Sequence, residues 1–332
     1  MKLTTIIGTR PQYVKFKPFH DYIKKHNIDH LSIDTDQHYD YNVSGVFLEE
    51  LRISINKHLS SKHENSFSFL SDSLLKINEI LKEYKPSVVI VLGDTNTSLI
   101  SSIVANQMGI KVAHIEAGIR CGDKTRPEEM NRILIDEIAS FHFVSREKDS
   151  VNVSNPILVG DLEYYFLNDL EKENPKLFNF TYEDCLIMTI HRQENATKER
   201  LEYVFDNCNK YNGDIIFSVH PRTRKVIKDN GILVPENIIM IEPLSYFKMI
   251  NYLSKCKGII SDSGGVTKIA PFFGKKCLIP SKNAEWSEVI DEGYGMKGMD
   301  LSWFNTYEMP RRKDFYYIKD ACEKIVDTIE QR

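Results

Sequence analysis

The sequence has no hydrophobic run that approaches the roughly 18 residues of a membrane span. Its opening, Met1-Lys-Leu-Thr-Thr-Ile-Ile7, turns polar at Gly8-Thr-Arg10, too early for the apolar centre of a secretory leader. A cytoplasmic protein without a membrane span is therefore expected. Cysteine is sparse and scattered over Cys121, Cys185, Cys208, Cys256, Cys277 and Cys322, with no CxxC pair. That spacing excludes a disulfide framework and predicts reduced thiols that mostly serve as packing residues. Charge of one sign is also lacking: 43 Lys and Arg stand against 47 Asp and Glu, a formal net charge of −4. Such a balance makes no case for nucleic acid, so any anion must be held by local basic groups. There is no Walker A stretch, and no GxGxxG turn follows the first predicted strand of either half, which argues against an NTPase or a nicotinamide enzyme. His191 and His220 follow different predicted strands with no local ligand spacing such as HxxxH between them, which argues against a metal centre.

What is present is an alternation of strands and helices. The 332 residues are 42% apolar and 27% charged, ordinary for a globular protein, and the length suits two domains. Short apolar runs at 3–7, 30–35, 87–92, 111–115, 141–144 and 157–159 read as strands, with helical spacing over 10–25, 44–51, 67–85, 98–108 and 126–138. The run Ser87-Val-Val-Ile-Val-Leu92 is continuous, as in a parallel sheet covered on both faces. Residues 163–184 read as a charged connection. The pattern then restarts with strands at 185–190, 215–219, 238–241, 258–261 and 277–279, and a last amphipathic helix is predicted over 314–331. The fold class is α/β with two Rossmann-like halves, each a doubly wound parallel sheet.

The chemistry-bearing residues sit where these strands end. Arg10 and Lys15 follow the first strand, and Asp94 the run 87–92. Glu116 follows 111–115, and Glu128, Glu129 and Arg132 open the helix after it. In the second half His191 and Arg192 follow 185–190, His220 and Arg222 follow 215–219, and Ser263-Gly264-Gly265 follows 258–261. Open α/β sheets bind ligands at these edges. The cations suit a phosphate-bearing leaving group, and the carboxylates suit acid–base work on a carbon acid. Taken alone, Asp262-Ser-Gly-Gly265 has two readings: a helix start with Asp262 or Ser263 as N-cap, or an anion seat of bare N–H groups at a helix N-terminus. Its likeness to the nucleophile region of chymotrypsin-like proteases is opposed by the β/α alternation around it.

Eight motifs in order carry a resemblance. Gly8-Thr-Arg-Pro-Gln-Tyr-Val-Lys15, Gln37-His-Tyr-Asp40, Gly93-Asp-Thr-Asn-Thr97, His114-Ile-Glu-Ala-Gly118, Arg126-Pro-Glu-Glu-Met-Asn-Arg132, His191-Arg-Gln-Glu-Asn195, His220-Pro-Arg222 and Asp262-Ser-Gly-Gly265 span nearly the whole chain. The sequence resembles the non-hydrolysing UDP-N-acetylglucosamine 2-epimerase family. Thr95-Asn-Thr97, His191-Arg-Gln-Glu-Asn195 and Glu285-Trp-Ser-Glu288 look more like its diacetamido-glucuronate branch. The resemblance implies a GT-B fold with an interdomain cleft: an N-terminal domain over 1–165, a nucleotide-binding domain over 166–313, and a final helix, 314–332, that crosses back. It implies elimination of UDP to a glycal and re-addition with inversion at C2, in the service of surface polysaccharide synthesis. Asp94, Glu116 and Glu128 would be the acid–base carboxylates, with His191 assisting near the diphosphate. Arg10, Lys15, Arg132, His220, Ser263, Gly264 and Gly265 would hold the nucleotide. A UDP-sugar substrate and a homodimer are implied, and no metal or redox cofactor.

The departures from the family pattern concern the ligand. Thr267-Lys268-Ile269 stands where the family has a Gln-(Glu/Lys)-Glu run whose last Glu binds ribose, and Ile269 offers no acceptor. Asp36 replaces a glycine, and the loop after His58 lacks the family's Gly-Thr pattern. Asp40 replaces a glutamine associated with substrate at a second site, so no activation there is expected. Three other functions compete: a hydrolysing 2-epimerase, opposed by Gly8-Thr-Arg-Pro-Gln12; a GT-B glycosyltransferase; and a non-catalytic nucleotide-sugar binding protein.

Overall fold

The computed structural model describes residues 1–37, 41–61, 65–178, 184–281, 286–305 and 310–331, with residues 41–44 and 46 described by backbone only. Asp40 and Glu285, singled out above, lie outside the described residues. The chain forms two compact units, Met1–Asp169 with Tyr316–Arg332, and Leu170–Phe315. Among the described residues no helix is long and apolar enough to cross a membrane.

The first unit runs β1 (Lys2–Ile7), α1 (Arg10–Lys25), β2 (Asp29–Asp34), α2 (Tyr41–Glu50), β3 (Lys57–His58), α3 (Ser66–Tyr84), β4 (Val88–Leu92), α4 (Asn96–Gln107), β5 (Lys111–Ile115), α5 (Pro127–Ile138), β6 (Phe141–Val144) and β7 (Pro156–Leu158). Its parallel sheet has the order β3-β2-β1-β4-β5-β6-β7. β4 is buried along its whole length, as its unbroken apolar run predicts. Ile6, Val89, Val91, Ile77, Leu81, Ile100 and Val104 form one core between this sheet and its helices. Each such side chain contributes on the order of 1.5–3 kcal/mol by leaving water.

The chain then passes through α6 (Leu162–Glu173) into the second unit. There β8 (Cys185–Thr189), α7 (Lys198–Cys208), β9 (Asp214–Ser218), α8 (Pro221–Asp229), β10 (Ile238–Ile241), α9 (Tyr246–Lys255), β11 (Gly258–Ser261), α10 (Gly264–Ile269), β12 (Lys276–Ile279), α11 (Ser287–Asp291) and β13 (Gly295–Lys297) follow in turn. Their parallel sheet is ordered β10-β9-β8-β11-β12-β13. The last helix, α12 (Ala321–Glu330), belongs to the first unit. In both sheets the strand order reverses beside the unit's first strand, between β1 and β4 and between β8 and β11. Such reversal points open a crevice at the carboxyl ends of the strands.

Two expectations are corrected. Residues 163–184 are not simply a connection, because α6 fills their first half. Asp161 Oδ1 accepts the N–H groups of Glu163 (2.9 Å) and Tyr164 (3.2 Å) as a helix cap, and Leu162, Tyr164, Phe166, Leu167 and Leu170 are buried. The final helix starts at Ala321 rather than 314. Upstream of it the carbonyl of Tyr316 is used by the N–H of Asp161 (2.8 Å), and Asp320 sits at φ 63°, outside helical geometry.

Candidate active site

In the first unit the crevice between β1 and β4 is built around Gln12. Its Oε1 accepts the N–H groups of Gly8 (2.9 Å) and Thr9 (3.1 Å) and the Thr9 hydroxyl (3.2 Å). Its Nε2 donates to Leu92 O (2.8 Å), Thr95 Oγ1 (3.0 Å) and Ser98 Oγ (3.0 Å). One buried amide thus fastens the turn that carries Arg10 to the turn that carries Asp94. Gly8 has to be glycine, because a Cβ there would lie 2.2 Å from Thr35 Oγ1 and 2.6 Å from Thr97 Oγ1. Arg10 opens α1 with its guanidinium 5.4 Å from the centre of the Phe47 ring, and burial lowers its pKa.

The carboxylates expected from the sequence meet cations here. Lys15, on α1, forms an ion pair with Glu116 Oε2, which follows β5. Glu116 sits at φ 70°, a left-handed conformation uncommon for a residue with a side chain. Its Oε2 lies 3.0 Å from where a Cβ on Gly93 would stand, so the carboxylate faces the Gly93-Asp94 turn. Arg132, on α5, pairs with Asp94 through one arm and with Glu129 Oε2 through the other, at 3.3 Å. Asn131 Nδ2 donates to Asp94 O (2.9 Å).

Glu129 is buried and accepts the N–H groups of Cys121 and Gly122, both at 2.9 Å. Burial opposes its charge, but these bonds and Arg132 hold its carboxyl below the ordinary range. Glu128, one residue earlier, stands exposed on the first turn of α5. The structure thus brings Lys15 to Glu116 and Arg132 to Asp94, with Glu129 rather than Glu128 in the Arg132 pair.

Behind this layer lies His114, fully buried, with Nδ1 2.6 Å from Asp136 Oδ1 and Nε2 3.0 Å from Gly93 O. Asp136 also pairs with Arg120 (2.7 Å) and accepts the N–H of Gly118 (3.1 Å). Burial would raise its carboxyl, but His114 and Arg120 outweigh that and lower it.

In the second unit the crevice lies between β8 and β11. Ser261 pairs in register with Thr189, so Asp262 emerges beside the chain that leaves β8 toward His191. Asp262 Oδ1 is 3.1 Å from His191 Nδ1, and the carboxylate accepts the N–H groups of His191 and Arg192. Ser263, not Asp262, is the N-cap of α10, its Oγ accepting Val266 N–H at 3.4 Å. Gly264 is partly exposed and Gly265 exposed on the first turn. His220 caps α8, its Nδ1 accepting the N–H of Arg222 (3.2 Å), and its ring centre is 6.2 Å from that of His191. Ile269 and Lys268 are buried, the Lys268 ammonium 5.3 Å from the centre of the Trp286 ring.

Gln12 and Asp262 were present in the motifs read from sequence but not recognised as the residues that tie the turns together, and the His114–Asp136 pair was missed. A buried side chain with several polar partners marks each of them, and that is visible only once the strands are paired.

These strand-end sites accompany similarity to known proteins. The UDP-N-acetylglucosamine 2-epimerase family profile matches residues 21–330. A UDP-N-acetylglucosamine 2-epimerase homolog of Methanococcus maripaludis is 36% identical over 315 residues, 89% of this chain and 88% of that protein. The UDP-2,3-diacetamido-2,3-dideoxy-D-glucuronate 2-epimerase of Pseudomonas aeruginosa is 30% identical over 309 residues, 88% of this chain and 87% of that one. Among solved structures, UDP-GlcNAc 2-epimerase of Methanocaldococcus jannaschii in complex with UDP-GlcNAc and UDP has a TM-score of 0.90 at 31% identity and covers 100% of both chains. With a match running over almost its entire length, the chain belongs to the UDP-N-acetylglucosamine 2-epimerase family.

Proposed function

We propose that the protein inverts C2 of a UDP-N-acetylglucosamine-type sugar by eliminating and re-adding UDP. A carboxylate takes the C2 proton, the C1–O bond to UDP breaks, and a C1=C2 glycal forms. A proton is then delivered to the opposite face of C2 as a UDP oxygen bonds C1 again. Asp94, Glu116 and Glu128 supply the acid–base carboxylates. Arg10, Lys15, His220, Ser263, Gly264 and Gly265 hold the nucleotide and its phosphates, with Arg132 nearby, and His191 assists near the departing diphosphate.

The observation that carries this reading is Glu116. Its carboxylate is held by Lys15 against the turn that bears Asp94, two acid–base candidates on adjacent strand ends. A titratable group held in a sparsely populated backbone conformation at a crevice is typical of functional sites. The reading extends to a cytoplasmic homodimer whose product serves surface polysaccharide synthesis. Support for the dimer comes from the exposed apolar side chains Met130 and Leu134 on α5, and for the compartment from six free thiols.

The deciding experiment incubates the protein with UDP-N-acetylglucosamine and, separately, its diacetamido-glucuronate counterpart in deuterated water, with products read by NMR. C2 inversion with deuterium at C2 and intact nucleotide is expected for one of them. Free sugar with UDP would establish hydrolysis instead. Both substrates unchanged but bound would leave a binding protein, and sugar transfer only on adding an acceptor would leave a glycosyltransferase. Light scattering at micromolar concentration checks the dimer.

A further inference from the structure

The geometry points to Asp262 as the positioning residue of His191: its buried carboxylate accepts a hydrogen bond from the imidazole Nδ1–H and leaves Nε2 as the edge that meets the departing diphosphate. This deepens the epimerase reading and rests on it for the identity of the leaving group. The side chain of Asp262 is 0% exposed, whereas that of His191 is 42% exposed. A buried carboxylate is costly unless it is fully bonded. Here His191 N reaches both oxygens (3.1 and 3.2 Å), Arg192 N (3.0 Å) and Asn195 Nδ2 (3.1 Å) reach Oδ2, and His191 Nδ1 (3.1 Å) reaches Oδ1.

The backbone and amide bonds would suffice to fasten the loop after β8, and the imidazole contact exceeds that need. Burial on its own would raise the Asp262 carboxyl. The bond and charge of His191 and the N–H groups of Arg192 and His191 outweigh it and hold the group below the ordinary range. An ionised carboxylate only accepts, so the nitrogen facing it must be the protonated one. The neighbouring ring of His220 does not compete for this role, because its Nδ1 accepts the N–H of Arg222. Fixed in this way, the part-exposed ring of His191 presents Nε2 on the edge away from Asp262. When that nitrogen carries a proton, it donates to the oxygen on which charge grows as the C1–O bond breaks.

The test reads imidazole nitrogens by 1H–15N NMR in the full-length protein, with kinetics alongside. Wild type should show His191 protonated at Nδ1, with its Nε2 signal moving when UDP is added. Asp262→Asn should give a mixture of tautomers and lower kcat about 10²-fold, with UDP affinity changed far less. Asn195→Ala removes another partner of the same carboxylate and should keep both the wild-type tautomer and kcat.

An Nε2-protonated tautomer in wild type overturns the proposal, even if Asp262→Asn does not fold. So does Asp262→Asn with wild-type tautomer and kcat, or Asn195→Ala with the full loss of kcat, which would make loop fastening the whole role. A wild-type protein that turns over no nucleotide sugar removes the epimerase reading, whereas the NMR result still decides the orientation of His191.

Discussion

Lys15 and Glu116, 101 residues apart in the chain, form an ion pair that joins the first helix to the turn after β5. If Glu116 exchanges the C2 proton, Glu116→Gln should slow deuterium incorporation from heavy water by about 10²–10⁴-fold. UDP binding, followed by calorimetry, should be largely retained. Unimpaired exchange would remove Glu116 from acid–base chemistry.

Arg132 holds Asp94 with one arm and Glu129 with the other. Lysine keeps the charge but cannot fork between two carboxylates. Arg132→Lys should cost about 1–3 kcal/mol in urea unfolding, because Glu129 is left with a poorer partner. It should also lower kcat, and an unchanged urea midpoint would show that the fork is not structural.

Gly265 offers a separation of folding from binding. A Cβ there meets only Ser263 Oγ, at 3.9 Å, so the fold has room for it. Gly265→Ala should stabilise the protein by about 0.5–1 kcal/mol, since glycine inside a helix is entropically costly. Its affinity for UDP should fall at least about tenfold if the diphosphate lies against this backbone, a loss of about 1.4 kcal/mol. Wild-type affinity would move the phosphate seat elsewhere.

Asp34 gives a pH signature. Burial raises its carboxyl from the ordinary 3.8 to about 6, against the pull of the Asp36 N–H and the Tyr13 hydroxyl. A raised folded pKa means that the native state holds the proton more tightly. The contribution to stability is therefore present below 3.8 and is lost as pH rises through about 6. Between pH 4 and 7 wild type should lose up to about 3 kcal/mol relative to Asp34→Asn, measured by urea unfolding at each pH. Parallel stability curves would show that Asp34 is not the titrating group.

The strand ends were readable because short apolar runs stop abruptly at charged motifs, as at Val88–Leu92 before Gly93-Asp94. The two-unit α/β plan followed from that alternation. What stayed hidden depends on pairing between distant segments. Asp262 acts on a backbone 71 residues away, and its role exists only because β11 lies in register beside β8. Gln12 reaches Leu92 and Ser98 across 80 and 86 positions. The helix α6 was masked by charges interleaved with its buried residues. β3 and β13, two and three residues long, are too short to show a period. Glu128 and Glu129 are adjacent carboxylates whose opposite exposures only the orientation of α5 reveals.

The amide of Gln12 also limits how the first unit can move. With three acceptors on one side of it and three donors on the other, the Arg10 turn and the Asp94 turn form a single mechanical body. Sliding one past the other would strand buried backbone groups, at about 1–3 kcal/mol for each. Any adjustment of shape that accompanies ligand capture must therefore carry both turns together, with its hinges outside the crevice between β1 and β4.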